Sequence, residues 1–262
     1  MQFDEAQTLQ TATEPAMHHE EVYAGALEEI RPDIRHIETE DNAPVDNLFS
    51  EKQMRLLTET LYASWQREKP FLAMANVGLF WAVRKPGIVP DVMLSLDVEP
   101  EADWFQKENR SYFVWEFGKL PEVVMEIVSN FKGEELGTKL DKYAAAGVPY
   151  YAVYDPALHY GEPSVRLFAL QNMEYLPMQD NIFTHVGLGL VLWQGVFEGR
   201  TDTWLRWCYP DGAVLLTGRE RAESEKQRAE SEKQRAEIAE ANVAALIAQL
   251  QALGITPHLK EI

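Results

Sequence analysis

The order of hydrophobic patterns along the sequence predicts an α/β chain that ends in a long charged helix. Three observations carry that prediction. Residues 122–128 form an almost wholly apolar run, residues 134–146 recur at helical spacing, and residues 148–154 form a second apolar run stopped by Asp155-Pro156. Strand, helix and strand in that order make a parallel pair joined by a right-handed crossover. Residues 164–170 and 174–178, on either side of Gln171-Asn172, read as an antiparallel hairpin. Finally, RAESEKQ stands at 221–227 and again, unchanged, at 228–234, a seven-residue repeat that keeps one stripe in register along a helix.

The elements follow in order. Residues 1–46 are rich in acids and poor in aromatics, and read as a disordered, solubilising arm. Ser50 is the predicted N-cap of a first helix, with Gln53 three residues on. Met54, Leu57, Leu61 and Trp65 then mark its apolar face, and Lys69-Pro70 ends it. Residues 71–83 read as extended, 85–87 as a turn, 88–98 as a strand, 99–110 as a loop and 112–117 as a short strand ending at Gly118. In the helix 134–146, Leu136, Leu140, Tyr143 and Ala144 share the inner face, and Gly147 suits its C-cap. The tryptophan-rich stretch 186–216 closes a domain predicted over 47–216, with a turn at Asp211-Gly212.

The helix predicted over 217–253 is different in kind, and leaves 254–262 as a tail. Its heptad stripe is Ala222, Ala229, Ala236, Val243 and Leu250. The companion stripe, Glu225, Glu232, Ala239 and Leu246, is apolar only in its second half. Two readings stay open: a helix that pairs with a second copy from about Ala236 onward, and a lone projecting helix.

Composition narrows the function. The chain has 262 residues, 46% of them hydrophobic, and a single cysteine, Cys208, so it has neither a disulfide framework nor a multi-cysteine zinc site. It has no run of about 18 apolar residues, and MQFDEAQTLQ lacks the basic and apolar regions of a signal peptide. A cytoplasmic protein without a membrane span is the expectation. The net charge of −18 argues against a surface built for general nucleic-acid binding. More than half of the excess lies in residues 1–50, at −10, against −7 for 51–216 and −1 for the rest.

The candidate chemistry sits in the middle of the chain. Asp91 follows Pro90 at the start of a strand, Glu126 lies in the otherwise apolar VVMEIVS, and Lys139 and Lys142 lie on the helix that follows. A carboxylate buried in a sheet is costly unless it is paired or holds a metal. Two on neighbouring strands can share one hard cation, and Mg²⁺ needs little more than two carboxylates and a backbone carbonyl. With a lysine alongside, that is equipment for phosphodiester hydrolysis. A plainer reading is that Glu126 only pairs with a helix lysine.

PDVMLSLDV, then PEVVMEIVSN, then GTKLDKYAAAGVPYYAVYDP resembles the Uma family of restriction-type endonucleases, within the PD-(D/E)XK nuclease superfamily. The resemblance covers about residues 47–215. It implies a restriction-endonuclease-like α/β core with a mixed central β-sheet flanked by helices, a Mg²⁺-dependent endonuclease activity (Mn²⁺ substituting) and DNA as substrate. It makes Asp91 the acid of the PD motif and Glu126 the acid of the second motif, with the Ile127 carbonyl as a further metal ligand. The superfamily lysine belongs at 128, where this chain has Val128. Lys139 on the following helix matches the place to which this family's lysine can move, with Lys142 as the spare. Ser129 matches a strand-end serine, and Glu59 on the first helix is a candidate additional carboxylate. The alternative to an enzyme is an inactive nuclease fold serving as a scaffold, with partners bound through the C-terminal helix. A nucleotide hydrolase using the same residues is a third reading.

Overall fold

The computed structural model describes residues 33–37, 47–100, 102–130 and 134–254. The chain divides into two units, Met1–Glu38 and Thr39–Ile262. The described part of the first is a turn in which Ile37 N–H donates to the Ile34 carbonyl at 2.9 Å. Arg35 grips Asp33 there with Nε and Nη2, at 2.9 and 2.8 Å. The rest of the predicted arm, and the tail beyond Gly254, lie outside the described residues.

In the second unit the described elements are α1 (Leu48–Ser64), β1 (Phe71–Ala75), β2 (Leu79–Phe80), β3 (Val92–Leu96), β4 (Tyr112–Phe113) and the single turn α2 (Val114–Phe117). Then come β5 (Val123–Ile127), α3 (Thr138–Ala146), β6 (Tyr150–Tyr154), β7 (Val165–Gln171), β8 (Glu174–Pro177) and β9 (Ile182–Phe183). The long hairpin β10 (Leu188–Phe197) and β11 (Arg200–Cys208) precedes α4 (Gly218–Ala252).

The central sheet runs β1-β3-β5-β6-β7-β8 and is mixed. β5 and β6 are parallel, with Glu126 opposite Val153, and α3 connects them. The other neighbours are antiparallel, including β3 against β5, which sets Val92 opposite Met125. This is the α/β class predicted, with helices against a mixed sheet. The β7–β8 hairpin turns on Asn172 and Met173, both at positive φ, the requirement of a type I′ turn.

Burial on both faces explains why β3, β5 and β6 read as continuous apolar runs. All five residues of each strand are buried. Odd positions of β5 (Val123, Met125, Ile127) join Met54, Leu57 and Leu61 of α1 and Trp207 of β11 in one core. Even positions face the other way: Val124 and Val128 pack with Tyr143 and Ala144 of α3. Glu126 shares that second face and is the one charged side chain in the strand.

Several local expectations change, among them the start of α3, which is Thr138 and not residue 134 because residues 135–137 form a turn. The N-cap of α1 is Asn47, whose side chain accepts from Ser50 N–H at 2.9 Å, so Ser50 lies inside the helix. Gln53 is buried and reaches across to Leu205 of β11 instead of completing a capping box. Residues 114–117 leave the strand after Phe113 and form a helical turn, which Gly118 ends at φ 71°. The predicted αL cap at Gly147 holds, at φ 93°.

Candidate active site

The β5–α3–β6 crossover sets one carboxylate beneath one helix. Glu126 has its side chain on the α3 side of the sheet because it alternates with Met125 and Ile127. It is 1% exposed. Lys139, one residue into α3, donates from Nζ to Glu126 Oε2 at 2.8 Å. Tyr143, four residues on and so on the same helix face, donates its hydroxyl to Glu126 Oε1 at 2.6 Å. Lys142 points into solvent and no site contact is formed by it.

Asp91 comes from the adjacent strand. It precedes β3, and its Oδ2 accepts the Ile127 N–H at 2.6 Å, one residue beyond Glu126. Asp91, Glu126, Ile127 and Lys139, four residues singled out in the sequence, are therefore brought together. Val128 is packed in the apolar cluster under α3 and is 2% exposed. The ammonium on that face comes from the helix that covers it, through Lys139.

The charges are strongly coupled. Burial pushes the Glu126 carboxyl up to about 8, and the charge of Asp91 adds to the shift; Lys139 and the Tyr143 hydroxyl offset only part of it. Burial opposes charge on Lys139, yet Glu126, Asp91 and Glu135 outweigh it and raise the ammonium's pKa. Tyr143 is held well above the usual phenol range by burial first and Glu126 second, so it stays a donor.

Glu135 is a site residue that motif reading missed. It is 4% exposed and its Oε1 lies 3.8 Å from Lys139 Nζ. Its Oε2 accepts from the Tyr160 hydroxyl at 3.0 Å, and its backbone carbonyl accepts from the Tyr151 hydroxyl at 2.8 Å. The signal was present: Glu135 precedes Lys139 by four residues, the spacing of a helical ion pair. Glu59, by contrast, is not in this cluster. Its Oε1 accepts from Gly218 N–H at 2.7 Å at the start of α4. Ser129 lines a neighbouring cavity of about 300 Å³ just beyond the ends of β5 and β6, with Pro156, His159, Arg200 and Asp202.

The residues present suit a hard divalent cation. Asp91, Glu126 and the Ile127 carbonyl offer oxygen only, which is the preference of Mg²⁺. Burial raises Glu126 first and the Asp91 charge second, and a cation between the two carboxylates would offset both. Among the described residues no group of three or more His, Cys, Asp or Glu is placed to hold a metal. The donor set is thus a sparse one, which fits an ion that keeps several waters.

Among curated proteins no match is found. Residues 35–190 match the family model Uma2, described as "Putative restriction endonuclease". The matched span holds Asp91, Glu126, Glu135 and Lys139 together and takes in more than half of the 262 residues, which points to nuclease chemistry. The chain belongs to the Uma2 family.

Proposed function

We propose that this protein is a Mg²⁺-dependent endonuclease that hydrolyses phosphodiester bonds in DNA, with Mn²⁺ able to substitute. The observation that carries the reading is the convergence of Asp91, Glu126 and Lys139 across two strands and a helix, with Glu126 buried. Asp91 and Glu126 would hold the ion, and the Ile127 carbonyl would complete the protein's share of its ligands. When bound, the ion acidifies water and neutralises charge building on the phosphate.

The remaining work falls to side chains. Lys139 is kept protonated by its carboxylate neighbours, so it serves as a donor and a positive charge, not as a base. It orients the attacking water and offsets charge on the phosphoryl oxygens in the transition state. Tyr143 holds Glu126 Oε1 and fixes the rotamer from which Oε2 faces Lys139. Glu135 sets the other side of the ammonium, so that Lys139 is aimed between two carboxylates.

The test is cleavage of supercoiled plasmid by the full chain with Mg²⁺ or Mn²⁺. Wild type is expected to nick and linearise the plasmid only with the ion. Glu126→Ala and Lys139→Ala are expected to lose about a hundredfold or more of the rate. Lys142→Ala is expected to match wild type. Correctly folded wild-type protein that neither cleaves nor binds the ion would overturn the reading. It would leave an inactive nuclease fold whose partners engage α4.

A further inference from the structure

α4 is anchored at its start and bare along its length. Thr217 and Glu220 form a reciprocal capping box, and Arg206, 2% exposed, grips both Glu220 oxygens at 2.8 and 2.7 Å. Arg221 adds a hydrogen bond to the Ala63 carbonyl. Beyond that base no residue of the 35-residue helix is buried. Its second half nonetheless carries Ile238, Val243 and Leu246, which are 62%, 47% and 58% exposed, followed by Leu253 at 75%. Thirty-five residues at about 1.5 Å each make an arm of roughly 52 Å.

We propose that α4 pairs with α4 of a second copy of this chain in antiparallel orientation, along nearly its full length. The charges decide the direction. Glu225 and Glu232 occupy the same heptad stripe as Ala239 and Leu246, and Arg221, Arg228, Lys226 and Lys233 flank the seam. In a parallel pair each Glu meets its own copy, and Arg228 faces the partner's Lys233. Like charges then oppose each other through the whole first half.

The antiparallel pair removes both conflicts. With Ala236 level with the partner's Ala239, the heptad places Ala222 against the partner's Leu253 and Ala229 against the partner's Leu246. Small residues of the first half thus receive the large ones of the second. Glu232 lies against the partner's Val243 and Glu225 against the partner's Leu250. Each Glu keeps an arginine of its own helix one turn away, as Arg221 already does for Glu225 at 3.6 Å. Lys233 then meets the partner's Glu240 on one flank, and symmetry repeats that pair. The weak half of each seam is covered by the strong half of the other, and Val243, Leu246 and Leu253 of both copies are buried, while Ile238 lies outside the seam. The inference stands apart from the nuclease reading.

The experiment uses the full chain and two variants, Ala229→Cys and Leu246→Cys. The native Cys208 is buried and stays out of exchange. Sedimentation of wild type is expected to give twice the 29.9 kDa chain mass. Oxidising an equal mixture of the two variants is expected to give a cross-linked dimer with one chain of each kind. Neither variant oxidised alone is expected to cross-link, because like positions lie about 25 Å apart along an antiparallel pair. Self-cross-linking of each variant alone would establish a parallel pair and overturn the proposal. So would a wild-type chain that remains a monomer at the highest soluble concentration.

Discussion

Glu126 is the residue on which the proposed chemistry turns, and its protonation makes a measurable prediction. Its folded-state pKa of about 8 lies above the ordinary 4.5. Between those values the folded protein holds a proton that the unfolded chain has released. The associated stability is therefore fully present below about pH 4.5 and is lost as pH rises through 8. Without divalent ion, thermal unfolding should show a loss of a few kcal/mol across that window, and Glu126→Gln should flatten it. Added Mg²⁺ should raise the unfolding temperature more at the alkaline end, because the ion requires the ionised carboxylate. An unfolding temperature with the same pH profile in wild type and Glu126→Gln would contradict the assignment. Asp91 and Glu126 stood out in the sequence because a charge beside or inside an apolar strand has few explanations, and Lys139 stood out through the family resemblance. Glu135 and Tyr143 were not legible as site residues. Their role depends on which face of α3 meets the sheet and on the loop that brings Tyr160 to Glu135.

At the scale of elements, the helices and strands were legible where one periodicity dominates. β5, α3 and β6 each show a single period and an end signal, so their order and pairing followed from sequence. β4 was legible at Tyr112–Phe113, but α2 was not: residues 114–117 read as a continuation of that strand. The long β10–β11 hairpin was missed for a different reason: beyond Leu190 its residues alternate between half-buried and exposed, and apolar Leu192 and Val196 sit on the exposed side, so no polar alternation marks the strand. Gln53 shows a connection between elements that only folding reveals. Its amide donates to the Leu205 carbonyl at 2.8 Å and accepts from Leu205 N–H at 3.0 Å. β11 is an edge strand, so Gln53 satisfies backbone groups that would otherwise be buried unpaired. Gln53→Leu should cost about 2–4 kcal/mol, read as a lower denaturation midpoint at unchanged slope. Gly147→Ala should cost about 1–2 kcal/mol, because its φ of 93° is strained for any side chain and the new methyl meets Leu120 Cδ1 at 3.3 Å. Wild-type stability in either variant would contradict these contacts.

At the scale of the molecule, a mixed sheet buried on both faces carries the site, and α4 stands clear of that core. Deleting residues 224–262 should leave the unfolding temperature of a dilute sample within about 2 °C, since the deleted part of α4 buries no side chain. A larger fall would show that the helix supports the fold. The net charge of −18 confines any phosphate binding to a local cleft, so cleavage by the proposed nuclease should fall with salt. No helix among the described residues is long and apolar enough to cross a membrane. The heptad repeat made α4 legible to within a residue or two, because a periodic charged helix needs no tertiary context. What joins these scales is the claim that Asp91 and Glu126 hold a divalent cation beside Lys139. The most direct measurement is an anomalous-difference map from crystals of the full chain grown with Mn²⁺. One strong peak is expected, bound by an oxygen of Asp91 and an oxygen of Glu126 at about 2.0–2.3 Å, that disappears in Asp91→Asn. A peak held by other residues, or none in crystals of protein that cleaves DNA with Mn²⁺, would contradict it.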